Sequence, residues 1–220
     1  MANICEHIGA DVSDVRVGIG SDHRIGYHFI YPGVGYGGSC FPKDVKALIN
    51  TTRENGYEPK LITAVDEVNA IQKKVLADKI KDYFSSQNGV KDKTLALWGL
   101  SFKANTDDIR ESASLEIISQ LAAEGMHIRA FDPVAGENAK KALEDNPLTK
   151  VLDNQYEAVK GADALAVATD WNQFRNPDFK RIKKALTAPV IFDGRNLYSP
   201  SFVAEQGFAY FSIGRRPVNN

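Results

Sequence analysis

Residues 94–103 read TLALWGLSFK, and the fold turns on this stretch. Its first seven residues form a short apolar run after a basic linker, which reads as a buried strand. The same texture repeats downstream. Helix is expected at about 114–124, closed by Gly125, followed by a strand at 127–131. A helix near 135–143, a strand near 150–152, a helix at 156–159 and a strand at 164–169 come next. Then follow a helix at 179–186, a strand at 190–193, a helix near 201–205 and a last strand at 209–212. Strands and helices that alternate over short connections predict a doubly wound parallel sheet. Right-handed crossovers place ligands at the carboxyl ends of such strands. Gly99 to Lys103 would then be the first strand-to-helix turn, a ligand-binding position.

Upstream of this sheet the pattern is helical. Ile4, Ile8, Val12 and Val15 fit one helix over 3–16. Residues 17–39 are glycine-rich and interrupted by Pro32, hence loop. Val45, Leu48 and Ile49 predict a helix at 43–53. A single longer helix is expected at 61–84, with Leu61, Val65, Val68, Val75, Leu76, Ile80 and Phe84 along one face. The expected architecture is α/β: a helical segment over 1–90, then a Rossmann-like domain over 91–220. Met1 and Ala2 run straight into helical sequence without a cap, as in a piece of a longer chain.

The chain has 220 residues, a net charge of -1, 25% charged and 43% hydrophobic residues. That balance argues against nucleic acid or an anionic membrane as the main partner. No apolar run approaches the ~20 residues that cross a bilayer, and the N-terminus lacks the features of a secretory signal. Two cysteines, Cys5 and Cys40, cannot form a disulfide framework, which fits a reducing, cytoplasmic setting. His7, His23, His28 and His127 have no metal-ligand spacing, so no metal is expected.

The chemistry concentrates in residues 33–46, GVGYGGSCFPKDVK. A lone cysteine is commonly a small buried hydrophobe. Cys40, however, follows Gly33, Gly35, Gly37 and Gly38, which suit close approach of backbone to a ligand. It also enters a helix whose N-terminus, with Lys43, favours negative charge there. Lys43 and Asp44 can be simple first-turn residues, or a cation and a carboxylate that serve the thiol. Residues 104–114 contain neither GxGxxG nor a P-loop. They are either a capped loop or a nucleotide site that uses Lys103 and Arg110 on phosphates. Asp132-Pro133, at a strand end, can hold a ribose or simply make a turn. Asp193 to Asn196, ending a later strand, is either a turn or places Arg195 over the same ligand edge. Cys5, Trp98 and Trp171 read as packing residues, and Arg24 by itself as a loop arginine.

Taken in order, RIG, GYGGSCFPKD, GLSFKANTDDIRES and FDGRNLY make the chain resemble the UDP-glucose/GDP-mannose dehydrogenase family over nearly its whole length. The resemblance implies NAD-dependent oxidation of a nucleotide sugar, UDP-glucose to UDP-glucuronate, in two hydride transfers. UDP-N-acetylmannosamine or GDP-mannose are the alternative sugars, and a non-catalytic UDP-sugar-binding fragment is a further alternative. It implies that Cys40 forms a thiohemiacetal and then a thioester, with Asp44 placing a water or proton. Phe29, Tyr31, Gly33, Gly35, Tyr36, Gly37, Phe102, Lys103 and Arg195 correspond to substrate contacts. Arg24 corresponds to a substrate contact made in the neighbouring subunit of a homodimer, joined through the central helices. Arg110, and Lys43 beside it, fall on the cofactor side. The family's NAD-binding N-terminal domain, with its glycine fingerprint, has no counterpart in these residues.

Overall fold

The computed structural model describes residues 1–218. Six strands form one all-parallel sheet: β1 (Thr94–Trp98), β2 (His127–Phe131), β3 (Thr149–Val151), β4 (Ala164–Val167), β5 (Val190–Asp193) and β6 (Ala209–Ser212), in the order β3-β2-β1-β4-β5-β6. This is the doubly wound order, and its direction of winding reverses between β1 and β4. Period-two alternation assigns the strand side chains to two cores. Leu95 and Leu97 point to one face with Ile128, Ala130, Ala166 and Phe192. Ala96 and Trp98 point to the other with Leu165, Val167 and Ile191.

Helices cover both faces. The first is packed by α5 (Val75–Ser85), α6 (Ala113–Ala123) and α7 (Gly136–Ala142). The second is packed by α8 (Gln155–Val159), α9 (Asn172–Arg175), α10 (Phe179–Ala185) and α11 (Pro200–Glu205). The one-turn helix α9 is too short to show a period and was not expected. Phe174 within it is fully buried against Trp98, with ring centroids 5.2 Å apart.

The first ninety residues differ from expectation in two places. Residues 3–16 do not form one helix. Gly9, with φ 73°, closes α1 (Ala2–Ile8), and the Asp11 carboxylate accepts from Ser13 N–H to start α2 (Val12–Gly20). The buried residues are Cys5 and Val12, while Ile4 and Ile8 face solvent. The helix expected at 61–84 is likewise two, α4 (Lys60–Gln72) and α5, with a tight turn at Lys73 and Lys74. The turn separates two apolar faces. Leu76, Ala77, Ile80 and Phe84 enter the sheet core, whereas Leu61, Val65 and Val68 remain exposed. The cysteine-bearing helix is α3 (Phe41–Glu54).

Asp132, just past β2, is buried and consumed by the fold. One carboxylate oxygen accepts from Leu100 N–H, Ser101 N–H, Ser101 O–H and the Trp171 indole; the other accepts from Val134 N–H and Ala135 N–H. It therefore fixes the β1 turn. Substitution Asp132→Ala strands these buried donors and should cost roughly 3 kcal/mol or more. Urea denaturation should show a lower midpoint with an unchanged slope.

Candidate functional site

The glycine loop of residues 33–38 lies across the carboxyl edge of the sheet, and its own residues fix it there. Val34 has no exposed surface and belongs to the core beneath β1, β4 and β5. On the far side α4 grips the backbone. The Asn69 amide accepts from Tyr36 N–H at 2.8 Å and donates to Tyr36 C=O at 3.1 Å. Gln72, one turn on, donates to Gly33 C=O at 2.8 Å and accepts from Asn3 at 3.0 Å. These two amides were not singled out from sequence, where α4 showed only its apolar stripe.

Close approach is required at Gly37 and Gly38, against protein rather than a free ligand space. A Cβ on Gly37 would collide with the Glu111 carbonyl. Gly38 has φ 90°, and a Cβ there would meet the Phe102 ring at 2.8 Å. Gly38 N–H also donates to Arg110 C=O at 2.9 Å. Glu111 completes the junction. Its carboxylate meets Lys73 at 2.7 Å and Lys46 of α3 at 3.4 Å. The hydrogen bond from Lys73 holds the Glu111 carboxyl below the usual range.

The loop then delivers Cys40 to the N-cap of α3, exposed to solvent, with Asp44 N–H donating to its carbonyl at 2.9 Å. Two concavities are lined by its chain neighbours, although Cys40 itself lines neither. A cleft of about 480 Å³ lies on the sheet side. Phe29, Tyr31, Gly33, Gly35, Tyr36 and Gly37 line one wall, and Phe102, Lys103 and Arg195 the other. Gln72 and Asp170, unexpected from sequence, complete the lining. On the opposite side a groove of about 570 Å³ is lined by Gly38, Ser39, Lys43, Lys46, Arg110 and Glu111, among others. The structure thus gathers nine candidate substrate residues into one cleft and puts Lys43 and Arg110 on the other side of the thiol.

Individual placements follow from local chemistry. Arg195 follows β5, donates from Nε to Ala168 C=O at 2.8 Å and reaches Phe102 C=O at 3.1 Å, tying the ends of β4 and β1 together. Its own turn is held by the buried Asp193, which accepts from Arg195 N–H, Leu197 N–H and the Tyr210 hydroxyl. Burial raises the Asp193 carboxyl and lowers the Arg195 guanidinium. Phe29 is wholly exposed with φ 63°, a conformation that large side chains rarely adopt. Tyr31 stacks under Arg16, 3.9 Å from its ring centroid. Arg110 is held by Asp108 at 2.8 Å and Lys43 lies 3.5 Å from Asp44. Arg24 stands outside both concavities on an exposed loop, paired with Asp22 at 2.5 Å. No group of three potential metal ligands occurs among the described residues.

A doubly wound sheet with a cleft at its reversal point, and an exposed thiol at a nearby helix N-terminus, define an α/β protein of the kind that takes ligands at the carboxyl edge of its sheet. Models of the UDP-glucose/GDP-mannose dehydrogenase family match most of the chain, its central domain over residues 1–71 and its UDP binding domain over residues 96–200. The chain belongs to this family.

A UDP-glucose 6-dehydrogenase of Pseudomonas aeruginosa is 47% identical over 218 residues, 98% of this chain and 48% of that protein. A solved UDP-glucose dehydrogenase from the archaeon Pyrobaculum islandicum superposes with a TM-score of 0.83 at 28% identity, over 98% of this chain and 46% of the other. An NDP-N-acetyl-D-galactosaminuronic acid dehydrogenase from Methanosarcina mazei also reaches 0.83, at 26% identity over 98% and 46%. The chain spans about half the length of the relatives it matches.

The Glu111 junction gives a pH test. Its depressed carboxyl stabilises the docked loop above the ordinary value of 4.5, and that contribution is lost as pH falls through the folded-state value. Glu111→Gln should speed amide exchange at Gly37 and Gly38 at pH 7. The two proteins should converge well below pH 4.5.

Proposed function

We propose that this chain carries the nucleophile and the UDP-sugar site of a UDP-glucose 6-dehydrogenase. The observation that carries the reading is the exposed Cys40, in the segment that runs from Gly37 of the sheet-side cleft through Gly38, Ser39 and Lys43 of the basic groove. Lys103 and Arg195 supply positive charge for the diphosphate, and the loop from Phe29 to Gly37 encloses the hexose. Cys40 Sγ adds to the C6 aldehyde and keeps it from escaping. Once oxidised, the adduct is a thioester. Water attacks it, Asp44 takes the proton, and the thiolate leaves with the UDP-glucuronate carboxylate formed.

NAD, when bound, accepts the hydride in each oxidation. The groove suits its phosphates. Lys43, Lys46 and Arg110 face it, and its one carboxylate, Glu111, is already paired with two lysines. The remaining NAD contacts belong, on this reading, to an N-terminal domain outside these 220 residues. A homodimer through the central helices fits the exposed stripe of Leu61, Val65, Val68 and Ile71 on α4. Arg24 would then reach the partner's cleft. No helix among the described residues is long and apolar enough to cross a membrane. Two free cysteines suit a reducing, cytoplasmic setting. The Methanosarcina mazei structure keeps a second reading open, the same chemistry on an N-acetylated nucleotide sugar.

Calorimetry on the 220-residue chain tests the substrate half directly. UDP-glucose should bind more tightly than UDP-N-acetylmannosamine. Lys103→Ala should weaken UDP-glucose by about 1–3 kcal/mol through loss of a charge-assisted contact. Tighter binding of the N-acetylated sugar would transfer the assignment to that substrate, and no binding of either would refute it.

A further inference from the structure

Of the two cleft residues that the sequence reading did not single out, Gln72 is fully used. Its amide donates to Gly33 C=O and accepts from Asn3. Asp170 is not. It follows β4 by three residues, half-exposed in the cleft wall, and among the described residues its carboxylate accepts no hydrogen bond. Its nearest ion-pair partner is Arg175, at 3.9 Å. Arg195 is its other electrostatic partner, so its charge is compensated while its oxygens remain open to hydrogen-bond donors from a ligand.

We propose that Asp170 is a specificity-determining residue that receives the two vicinal hydroxyls of the nucleotide's ribose. This rests on the cleft being a UDP-sugar site. Three observations lead there. The sheet reverses between β1 and β4, so the nucleotide crevice opens between the Gly99–Lys103 turn and Asp170. Asp132 after β2, at a position where an acid can hold a ribose, has both oxygens occupied by the fold. Asp170 is the carboxylate left facing the cleft.

The direction of the ligand follows from its ends. The hexose must reach Cys40 on the loop side, and the diphosphate lies against Lys103 and Arg195. The nucleoside is therefore on the sheet side, at Asp170. The choice of ribose over base follows from donor count. A carboxylate presents two acceptors, matching two adjacent hydroxyls. The uracil imide offers one N–H flanked by two carbonyls, which would set an acceptor against the second carboxylate oxygen.

The test is calorimetry with UDP, 2′-deoxy-UDP and GDP on the full 220-residue chain, wild type, Asp170→Asn and Asp170→Ala, each checked for an unchanged melting temperature. Wild type should bind UDP about 10- to 100-fold more tightly than 2′-deoxy-UDP. Asp170→Ala should lose a similar factor for UDP and almost none further for the deoxy analogue. Equal or tighter UDP binding by Asp170→Ala, or undiminished discrimination against the deoxy analogue, overturns the inference while the UDP-sugar reading stands. A wild type that prefers GDP overturns it in favour of a base contact to guanine. A wild type that binds none of the three overturns both.

Discussion

The site depends on one docking event, the seating of the 33–38 loop on the carboxyl edge of the sheet. Val34 enters the core as an apolar plug, and Gly37 and Gly38 let the backbone lie directly on Glu111 and Phe102. Asn69 and Gln72 tie the other side. Burial of Val34 and three side-chain amide hydrogen bonds to the loop backbone oppose the entropy of ordering a glycine-rich segment. Each functional element is registered to that seat. The cleft is the space left on one side of the loop and the basic groove the space left on the other. Cys40 is raised between them because the loop runs straight into α3.

Two further constraints hold the sheet side of the cleft. Asp132 and Asp193 are buried carboxylates that satisfy backbone donors in the turns after β1 and β5. These turns carry Phe102, Lys103 and Arg195. Rigid turns place the cations, and the ligand then meets charges that need no reorganisation. Charge at the helical junction acts differently. The Glu111 pairs with Lys46 and Lys73 are partly solvated, so they contribute register more than stability.

Much of this was legible in the sequence. The central strands β1, β4 and β5 are almost fully buried runs between turn residues, and the alternation of strands with helices specified the parallel sheet. Gly33, Gly35, Gly37, Lys103 and Arg195 were open to a ligand reading from their own chemistry and strand-end position, while Phe29, Tyr31, Tyr36 and Phe102 came only with the family resemblance; periodicity placed none of them. What escaped has physical reasons. The turn at Lys73 and Lys74 interrupts a continuous apolar stripe and contains no proline or glycine, so the stripe read as one helix. Gln72 and Asn69 act through amide contacts to a loop over thirty residues away, which no local pattern shows. Asp132 stayed open between a ribose ligand and a turn residue because four of its six donors, on Leu100, Ser101 and Trp171, come from segments distant in sequence. Gly37 and Gly38 suggested ligand approach, whereas their neighbours are the protein's own backbone and an aromatic ring.

The central claim is that Cys40 stands at the sugar end of the cleft. Alkylation by iodoacetamide, followed by mass spectrometry, measures this on one residue, because Cys5 is 1% exposed and Cys40 is open to solvent. Saturating UDP-glucose should slow modification of Cys40 by about tenfold or more, while UDP, which lacks the hexose, should slow it far less. Equal rates with and without bound UDP-glucose would contradict the account.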